Sequence, residues 1–226
     1  MIRVYYTHAE VENISPALLE NRIKSGLEQL PPVKREQILR LRPPRSRFNS
    51  TFGWLLVRFG FKHSGHKDFE LSGLQFAQRQ KPLWPGSAYD FNLSHSGSLL
   101  ACALTDKGLV GIDVERVRPL QDEQRMFEQI LSPQENLPPD ADCTLFFQYW
   151  TNKEAVIKAE GSGGVWDMSN IHLQGTKAFY KNKAWHLYSL ELVPGYAACV
   201  ACNQDGQDIR IESVTPEQLI DNKGCP

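Results

Sequence analysis

Residues 144–160 have the strongest helical pattern in the chain, and this segment limits the folds that the rest can adopt. Gly161 follows it directly, at the position where glycine commonly ends a helix. Aromatic and branched aliphatic residues recur along the segment, so one side of the helix needs a partner that buries it. The pattern predicts a fold in which helices cover small sheets.

The other predicted elements follow the hydrophobic periodicity of the chain. Further helices are predicted at residues 15–30, 34–42 and 49–61, and strands at residues 2–7, 99–104, 109–115, 184–192, 196–202 and 208–214. A turn at Asp106-Lys107-Gly108 is the best candidate boundary. It divides the chain into an N-terminal half, residues 1–107, and a C-terminal half, residues 108–226, each with a helix against a small antiparallel sheet.

The composition is that of an ordinary globular protein. The chain has 226 residues, a formal net charge of −1, and 41% hydrophobic and 23% charged residues, which excludes wholesale disorder. No stretch approaches the roughly 20 apolar residues of a membrane span, and the N-terminal residues lack a secretory-signal pattern. We therefore expect a cytoplasmic protein without a membrane or bulk nucleic-acid partner.

The cysteines are expected to be free thiols. They are Cys102, Cys143, Cys199, Cys202 and Cys225, and an odd number without a secretory signal argues against a disulfide framework. Cys199 and Cys202 have the spacing of a redox or zinc pair. On a strand, however, side chains at these two positions point to opposite faces, which favours structural cysteines.

Charge is distributed unevenly along the chain. Bases predominate between Lys34 and Lys62, where Glu36 is the only acid, and acids predominate between Asp113 and Glu160. Each run alone fits a solvated helix face. Together they suit a bound polyanion that is held partly by cations and partly through a metal.

Two carboxylates lie in the motif Gly111-Ile-Asp-Val-Glu115, at the end of the strand predicted at residues 109–115. Asp113 and Glu115 share one face of that strand, while Ile112 and Val114 face the core. Like charges so close repel unless a cation lies between them, and Mg²⁺ prefers such oxygen ligands. The spacing alone leaves open a solvent-facing edge with ordinary alternation.

The predicted helix at residues 144–160 supplies a third carboxylate and a lysine. Glu154 and Lys158 lie one turn apart and share a face, with Trp150 on the same stripe and Lys153 on its flank. A lone pair of this kind is usually a weak surface ion pair. Here the apolar setting of the helix puts the pair at the margin of the core, which favours a position in a cleft.

A further motif, Asn92-Leu-Ser-His-Ser96, precedes the predicted strand at residues 99–104. Its Ser94, His95 and Ser96 offer hydroxyls, an imidazole and backbone N–H groups to a phosphate. On this motif alone, a structural histidine is the alternative.

Together and in this order, the motifs resemble those of 4′-phosphopantetheinyl transferases of the surfactin-synthetase-activating type. The matching segments, which run through nearly the whole chain, are Lys81-Pro82, Asn92-Leu-Ser-His-Ser96, Gly111-Ile-Asp-Val-Glu115, Leu131-Ser-Pro-Gln-Glu135 and Trp150-Thr-Asn-Lys-Glu-Ala-Val-Ile-Lys158. Each is weak alone, whereas the ordered set is highly specific. The resemblance implies an α+β fold, a monomer in which two similar α/β halves are related by pseudo-twofold symmetry and enclose a cleft.

The resemblance also implies the reaction. The 4′-phosphopantetheine group of coenzyme A would move to a serine of an apo acyl, peptidyl or aryl carrier protein, giving the holo carrier and 3′,5′-ADP. Asp113, Glu115 and Glu154 would bind Mg²⁺, and Lys158 would contact the pyrophosphate. The implied catalytic residues are Asp113, Glu154 and Lys158, with Glu154 as the candidate base for the serine hydroxyl.

The remaining residues implied by the resemblance bind coenzyme A. They are Lys34 near the 3′-phosphate, Lys81 near the adenine nucleotide, and Ser94, His95 and Ser96 at a phosphate, together with Lys158 at the pyrophosphate.

The sequence departs from the family pattern on the nucleotide side. Asn49 stands where the family often has an arginine, Gln37 replaces a lysine, and Gln80 replaces a glycine. Arg45 or Arg47 could supply the missing guanidinium from a neighbouring turn. The positions implied as catalytic show no departure.

Two other functions fit parts of the pattern. A carrier-binding module without chemistry would keep the fold, although the intact acids and lysine argue against it. A magnesium-dependent phosphohydrolase would use similar carboxylates with water as the nucleophile. The carrier itself is not identified, and an acidic carrier helix would fit basic and apolar residues at 116–125 and 127–131.

Overall fold

The structure, a computed structural model, describes residues 1–75 and 81–221, so Gln80 and Cys225 lie outside the described residues. In chain order the elements are β1 (Ile2–His8), α1 (Pro16–Glu28), α2 (Pro32–Leu39), α3 (Pro44–His63), β2 (Asp90–Ser96), β3 (Leu99–Thr105), β4 (Val110–Arg116), α4 (Glu123–Ile130), α5 (Cys143–Glu160), β5 (His172–Gln174), β6 (Lys177–Tyr180), β7 (Lys183–Ser189), β8 (Tyr196–Cys202), β9 (Ile209–Ser213) and α6 (Pro216–Asp221). Short 3-10 turns stand at Leu71–Gly73 and Val165–Asn170. Within the described ranges, no helix combines the length and the apolar character that crossing a membrane requires.

Prolines and capping side chains set the starts of the first helices. The Ser15 hydroxyl accepts a hydrogen bond from the Leu18 N–H at 3.3 Å, and Pro16 occupies the first turn of α1. α2 and α3 begin earlier than predicted, at Pro32 and Pro44, because the fixed φ of proline suits a first helical turn. The prolines therefore start helices at positions where hydrophobic periodicity carries no signal.

Two sheets form the centre of the fold. The first has the strand order β2-β3-β1-β9, and the second has the order β4-β8-β7-β6-β5. α3 buries its apolar face in a core on the first sheet, and α5 does the same on the second. A third apolar cluster joins the faces of β1, β3, β4 and β8 that point away from these helices. The predicted α+β class is confirmed.

The end of the chain returns to the first sheet. β9 pairs in parallel with β1, and Val214 and Leu219 are buried in the core beneath α3. The predicted division at residue 107 therefore does not hold for residues 209–221, which belong with the first sheet. Periodicity identifies the last strand, but it carries no information about the strand with which it pairs.

β2 and β4 are edge strands of different sheets, and their side chains and backbone connect the two sheets. The turn after β3 leads into the second sheet instead of closing a hairpin. Side-chain oxygens of Asp90, Asn92, Ser94 and Ser96 accept hydrogen bonds from the N–H groups of Val110, Ile112, Val114 and Arg116 at 2.7, 3.0, 3.3 and 3.1 Å, respectively. We call this row of contacts the seam. It satisfies backbone groups that an edge strand would otherwise leave open, and it holds the sheets beside each other.

The cysteines of the described residues are free, as predicted. Cys199 lies in the core beneath α5 and Cys202 in the third cluster, so the two thiols face opposite sides of β8. Burial raises the pKa of the Cys199 thiol to about 12, which keeps it protonated. The structural role predicted for this pair is consistent with both observations.

Candidate active site

Gly111 sets the distance between β4 and α5. A Cβ atom at this position would lie 2.0 Å from the carbonyl oxygen of Ala155 and 2.5 Å from the nitrogen of Ala159. Both are backbone atoms of α5, so movement of a side chain could not make room. The bare Gly111 backbone therefore lets the helix lie directly on the strand, beside the two carboxylates that follow.

Asp113 is the buried centre of the site. It faces α5, while Ile112 and Val114 lie in the third apolar cluster, as strand alternation predicts. Its Oδ1 accepts hydrogen bonds from Lys158 Nζ at 2.7 Å and from the Ser94 hydroxyl at 2.9 Å. Its Oδ2 is buried with no hydrogen-bond partner among the described residues. Burial raises the pKa of Asp113, and Lys158 and Ser94 oppose that shift.

Glu154 approaches the same centre from α5. Its Oε2 is also buried, again without a hydrogen-bond partner in the described part of the chain. Burial raises the pKa of Glu154, and the negative charges of Asp113 and Glu115 add to that shift while Lys158 opposes it. The Lys158 ammonium pairs with Asp113, so the simple surface pair between Glu154 and Lys158 is not the arrangement seen.

Glu115 stands nearer to solvent, close to the end of β4. The Ser96 hydroxyl donates a hydrogen bond to Glu115 Oε2 at 2.6 Å, and the Arg118 guanidinium lies 3.8 Å from the same oxygen. Burial raises the pKa of Glu115, and the bond from Ser96 acts against this shift. The structure thus brings together at the seam the predicted site residues Ser94, Ser96, Asp113, Glu115, Glu154 and Lys158.

His95 lies on the other face of β2 from Ser94 and Ser96, and it is exposed. Desolvation lowers the pKa of His95, and the positive charges of Lys158 and Arg45 act in the same direction. The imidazole therefore lies within electrostatic range of two cations, and the negative charge of Asp113 acts on its pKa in the opposite direction. An anion that bound to all three would be held by charge-assisted hydrogen bonds.

The two arginines considered as replacements for the one missing at position 49 have different surroundings. Arg45 pairs with Glu12 at 2.8 Å and is near enough to lower the pKa of His95, whereas Arg47 pairs with Glu20 of α1. Asn49 itself is 7% exposed within α3. Arg45 is therefore the arginine placed to share an anion with the histidine.

The two lysines predicted to contact the nucleotide have protein partners. Lys81 is 11% exposed, and its ammonium pairs with Asp90 and donates to the Val110 carbonyl at the start of the seam. Lys34 lies on α2, with its Nζ 4.1 Å from the centroid of the Trp54 ring. Burial lowers the pKa of both lysines. Their roles toward a nucleotide stay predictions.

Lys153 is buried away from the site, which corrects its predicted position on the flank. Its Nζ donates to Glu135 Oε2 at 2.6 Å and to the backbone carbonyls of Ile130, Met168 and Ile171 at 2.7, 3.2 and 2.8 Å. Glu135 also accepts hydrogen bonds from two backbone N–H groups. Two of the matched sequence motifs therefore meet in a structural ion pair, since Glu135 ends one motif and Lys153 belongs to the other.

Some of the apolar residues predicted to contact a carrier are buried in the core. Phe127 and Ile130 are 1% and 3% exposed, because α4 packs its apolar face into the core with α5. Arg116, Arg118 and Arg125 are exposed. Of the residues predicted to contact a carrier, these arginines are accessible to a partner.

The unsatisfied carboxylate oxygens fit a hard cation by their chemistry. Asp113 Oδ2 and Glu154 Oε2 are buried, lack partners in the described chain and belong to groups that repel each other, a condition that a divalent cation relieves. Across residues 1–75 and 81–221, however, no group of three or more His, Cys, Asp or Glu side chains is arranged to hold a metal ion. The donor set suits Mg²⁺, and magnesium binding stays a prediction.

Comparison with known proteins identifies the family. A family model described as the 4′-phosphopantetheinyl transferase superfamily matches residues 109–201. The 4′-phosphopantetheinyl transferase AcpT of Escherichia coli O157:H7 is 32% identical over 148 residues, which are 63% of this chain and 70% of AcpT. This chain belongs to the 4′-phosphopantetheinyl transferase superfamily.

Two further members of the superfamily are similar to this chain. The 4′-phosphopantetheinyl transferase HetI of Nostoc sp. is 35% identical over 132 residues, which are 53% of this chain and 54% of HetI, about half of that relative. The 4′-phosphopantetheinyl transferase Sfp of Bacillus subtilis is 28% identical over 205 residues, which are 84% of this chain and 89% of Sfp. The superfamily segment at residues 109–201 contains β4 and α5, and therefore the carboxylates and Lys158.

Sequence reasoning missed β2 and, with it, the contribution of Asp90 and Asn92 to the seam. Aspartate and asparagine are depleted in strands, so composition argues against a strand at this position. The signal that could have found it is the alternation from residue 90 to residue 96, in which every second side chain is polar. Those polar side chains are the ones that bond to β4.

Proposed function

We propose that this chain transfers the 4′-phosphopantetheine group of coenzyme A to a serine hydroxyl of an apo carrier protein. The observation that carries the proposal is the meeting of Asp113, Glu154 and Lys158 beside the seam, with carboxylate oxygens that lack partners in the described chain. Membership in the superfamily supports it, because AcpT, HetI and Sfp are all named for this activity.

The serine hydroxyl of the carrier needs a base, and Glu154 is the residue best suited to accept its proton. Burial and the neighbouring carboxylates raise the pKa of Glu154, which makes it a stronger base than an exposed glutamate. The hydroxyl oxygen attacks the β-phosphorus of coenzyme A as its proton passes to Glu154. The bond from that phosphorus to the bridging oxygen breaks, and 3′,5′-ADP leaves with the electron pair.

Lys158 would stabilise the charge of the leaving nucleotide. Its side chain is 25% exposed, so a pyrophosphate can reach the ammonium, and Asp113 and Ser94 hold it in place. Phosphoryl transfer depends mainly on positioning and charge stabilisation, which a fixed ammonium supplies. His95, on the other face of β2, and Arg45, in the first turn of α3, are candidates for a further phosphate of coenzyme A.

Asp113, Glu115 and Glu154 would hold Mg²⁺ through their carboxylate oxygens. When bound, Mg²⁺ would supply positive charge to the pyrophosphate of coenzyme A. The protein's own part is to keep these acids within reach of one another at the junction of β4 and α5, where burial opposes their ionisation.

The proposal extends to the setting in the cell. We place the protein in the cytoplasm as a monomer, with carriers of fatty-acid, polyketide or nonribosomal-peptide synthesis as its candidate partners. The exposed Arg116, Arg118 and Arg125 fit an acidic carrier helix. A formal net charge of −1 gives no reason to expect a nucleic-acid or membrane partner.

One assay tests the proposed function against its rivals. The protein is incubated with Mg²⁺, coenzyme A and an apo carrier, and the intact carrier is weighed by mass spectrometry. A gain of one phosphopantetheine unit supports the transfer. Free phosphopantetheine beside an unmodified carrier supports a phosphohydrolase instead, and stable carrier binding without any change in mass supports a non-catalytic module.

A further inference from the structure

A pocket of about 500 Å³ lies at the edge of the first sheet that is farthest from the seam. β9 forms that edge, and β3 and β1 separate it from β2. Because neighbouring strands lie about 4.8 Å apart, roughly 14 Å separate β9 from β2. No residue of the candidate active site lines the pocket. The lining residues are Arg3 and Tyr5 of β1, His63 at the end of α3, and Arg210, Ile211 and Glu212 of β9.

The pairing of β1 with β9 puts two arginines side by side. In the parallel register of the two strands, Arg3 is opposite Arg210. Ile2 and Val4 lie in the third apolar cluster and Ile209 packs against it, so side-chain alternation turns both arginines to the other face of the sheet. Like charges that stand opposite each other on neighbouring strands repel. The strand pairing therefore keeps two positive charges together at a cost in stability.

The two guanidinium groups are not neutralised by the protein. Within residues 1–75 and 81–221, the side chains of Arg3 and Arg210 form neither a hydrogen bond nor an ion pair. Glu212 is the one acid among the described residues that line the pocket, and its Oε2 already lies 3.4 Å from His63 Nε2. Two arginines thus share a pocket with a single carboxylate, which leaves the pocket positively charged.

A phosphate monoester is the ligand class that suits this arrangement. The planar guanidinium presents parallel N–H donors that match the oxygens of a phosphate. A monoester carries about two negative charges near neutral pH, enough to balance both arginines. Ile211, which is 47% exposed, and the ring of His63 offer less polar surface to the rest of the ester. The volume of the pocket is in the range of small-molecule sites.

We propose that this pocket binds the phosphate group of a small phosphate monoester, with Arg3 and Arg210 as its charge-assisted donors. The inference goes beyond the proposed function and does not depend on it, because no residue of the seam takes part. A bound phosphate would remove the repulsion between the two arginines. Binding should therefore stabilise the folded protein.

The probe for the test is phenyl phosphate, titrated into ¹⁵N-labelled protein at constant ionic strength. The amide chemical shifts of residues 3–5 and 209–212 should saturate at millimolar concentrations. A Kd fitted to these amides alone is not affected by phosphate that binds elsewhere. Arg3→Gln and Arg210→Gln should each weaken this Kd by about tenfold, through the loss of a charged donor. Arg3→Lys keeps the charge but not the planar fork, so a smaller loss is expected.

The double variant Lys177→Gln/Lys183→Gln is the matched control for the loss of positive charge. Both lysines are exposed and lie on the neighbouring strands β6 and β7, but they are not opposite each other. The Kd should stay within about twofold of the wild-type value, because these strands belong to the other sheet and salt screens exposed charges over about 10 Å. Carrier modification should be unchanged in the arginine variants, which keeps this test separate from the proposed function.

Four results would overturn the proposal. The first is the absence of a saturable shift at residues 3–5 and 209–212 with up to about 10 mM phenyl phosphate. The second is a wild-type Kd in both Arg3→Gln and Arg210→Gln. The third is benzoate binding as tight as that of phenyl phosphate, which would identify an unselective anion patch. The fourth is tighter binding of a phosphoserine peptide, which would assign the pocket to a protein partner. A wild-type protein that modifies no carrier would contradict the proposed function alone.

Discussion

Lys153 and Lys158 lie on the same helix in opposite environments. Lys153 is fully buried beside Glu135, which is 3% exposed, and its other partners are backbone carbonyls. Lys158 is 25% exposed and bonds to Asp113 and Ser94 beside the seam. Each pair joins a lysine of α5 to an acid from another part of the chain. Only the second pair has a lysine that a substrate can reach.

The carboxylates of the two pairs differ in the same way. Both oxygens of Glu135 accept hydrogen bonds, from Lys153 and from two backbone N–H groups. Asp113 and Glu154 each keep a buried oxygen without a partner among the described residues. A saturated buried network fixes a fold, whereas unsatisfied buried groups are costly and call for a functional explanation. One short motif thus serves structure through its first lysine, and the chemistry that we propose falls to the residues that follow.

The largest effect is expected from Lys153→Met. Methionine cannot pair with Glu135, so a buried carboxylate loses its counter-ion and the carbonyls around it lose their donor. Removing one member of a buried ion pair lowers the free energy of unfolding by about 3–5 kcal/mol. Urea unfolding followed by circular dichroism measures this change. A midpoint equal to that of the wild type would show that the pair does not hold the fold together.

Lys158→Met makes the same substitution on the other side of the comparison. It should lower kcat by about 10²- to 10³-fold, because a positioned charge donor is lost. The free energy of unfolding should fall less than in Lys153→Met, since Asp113 keeps the bond from Ser94 and its raised pKa favours protonation. Carrier mass spectrometry and urea unfolding supply the two readouts. Wild-type turnover combined with a large loss of stability would reverse the roles assigned to the two lysines.

Gly111→Ala breaks the packing that brings α5 to β4. The new Cβ would meet backbone atoms at 2.0 and 2.5 Å, so the helix must shift away from the strand. We expect a loss of about 1–3 kcal/mol in the free energy of unfolding, as for other overpacked sites, with reduced turnover. Gly73→Ala is the matched control, because its Cβ would come no closer than 3.8 Å to the Trp84 ring. Equal behaviour of the two variants would rule out the close approach as the cause.

Glu154→Gln should raise the thermal unfolding temperature near neutral pH, the smallest effect in this series. Burial raises the pKa of Glu154 in the folded protein. Its contribution to stability is therefore complete below the ordinary carboxyl pKa of about 4.3 and is lost as the pH rises through the folded-state pKa. Glutamine cannot ionise, so the gain in stability should appear at about pH 8 and vanish near pH 4.

Glu160→Gln, on the same helix, is the control for Glu154→Gln. Its effect on the thermal unfolding temperature near neutral pH is expected to have the opposite sign. Burial acts to raise the pKa of Glu160, but hydrogen bonds from Ser162 and Lys181 outweigh it and lower the pKa. The contribution of Glu160 is therefore present above the ordinary carboxyl pKa and is lost as the pH falls through its folded-state value. If Glu154→Gln instead lowered the thermal unfolding temperature near neutral pH, burial would not oppose the ionisation of the Glu154 carboxylate in the folded protein.

Local geometry made part of the site predictable from the sequence. Strand alternation puts Asp113 and Glu115 on one face, and helical periodicity puts Glu154 and Lys158 together, because both patterns follow from backbone geometry alone. The structure brings these residues together. Helix ends marked by Ser15 and Gly161 were predictable for the same reason.

Features that depend on contacts between distant segments were not predictable. Nothing in residues 209–213 shows that this strand pairs with β1, and nothing next to Lys153 shows that Glu135 covers it. The partner of Lys81 was missed because β2 itself was missed, so Asp90 had no assigned place. In each case the decisive partner lies far away in the sequence, where periodicity carries no information.

The central claim is that Asp113 serves the transfer of phosphopantetheine and not the stability of the fold. The most direct measurement is the intact mass of an apo carrier after incubation with Mg²⁺, coenzyme A and an Asp113→Ala protein that unfolds cooperatively. We predict a carrier without phosphopantetheine, under conditions in which the wild-type protein modifies it completely. Full modification by the folded Asp113→Ala protein would contradict the role assigned to this carboxylate.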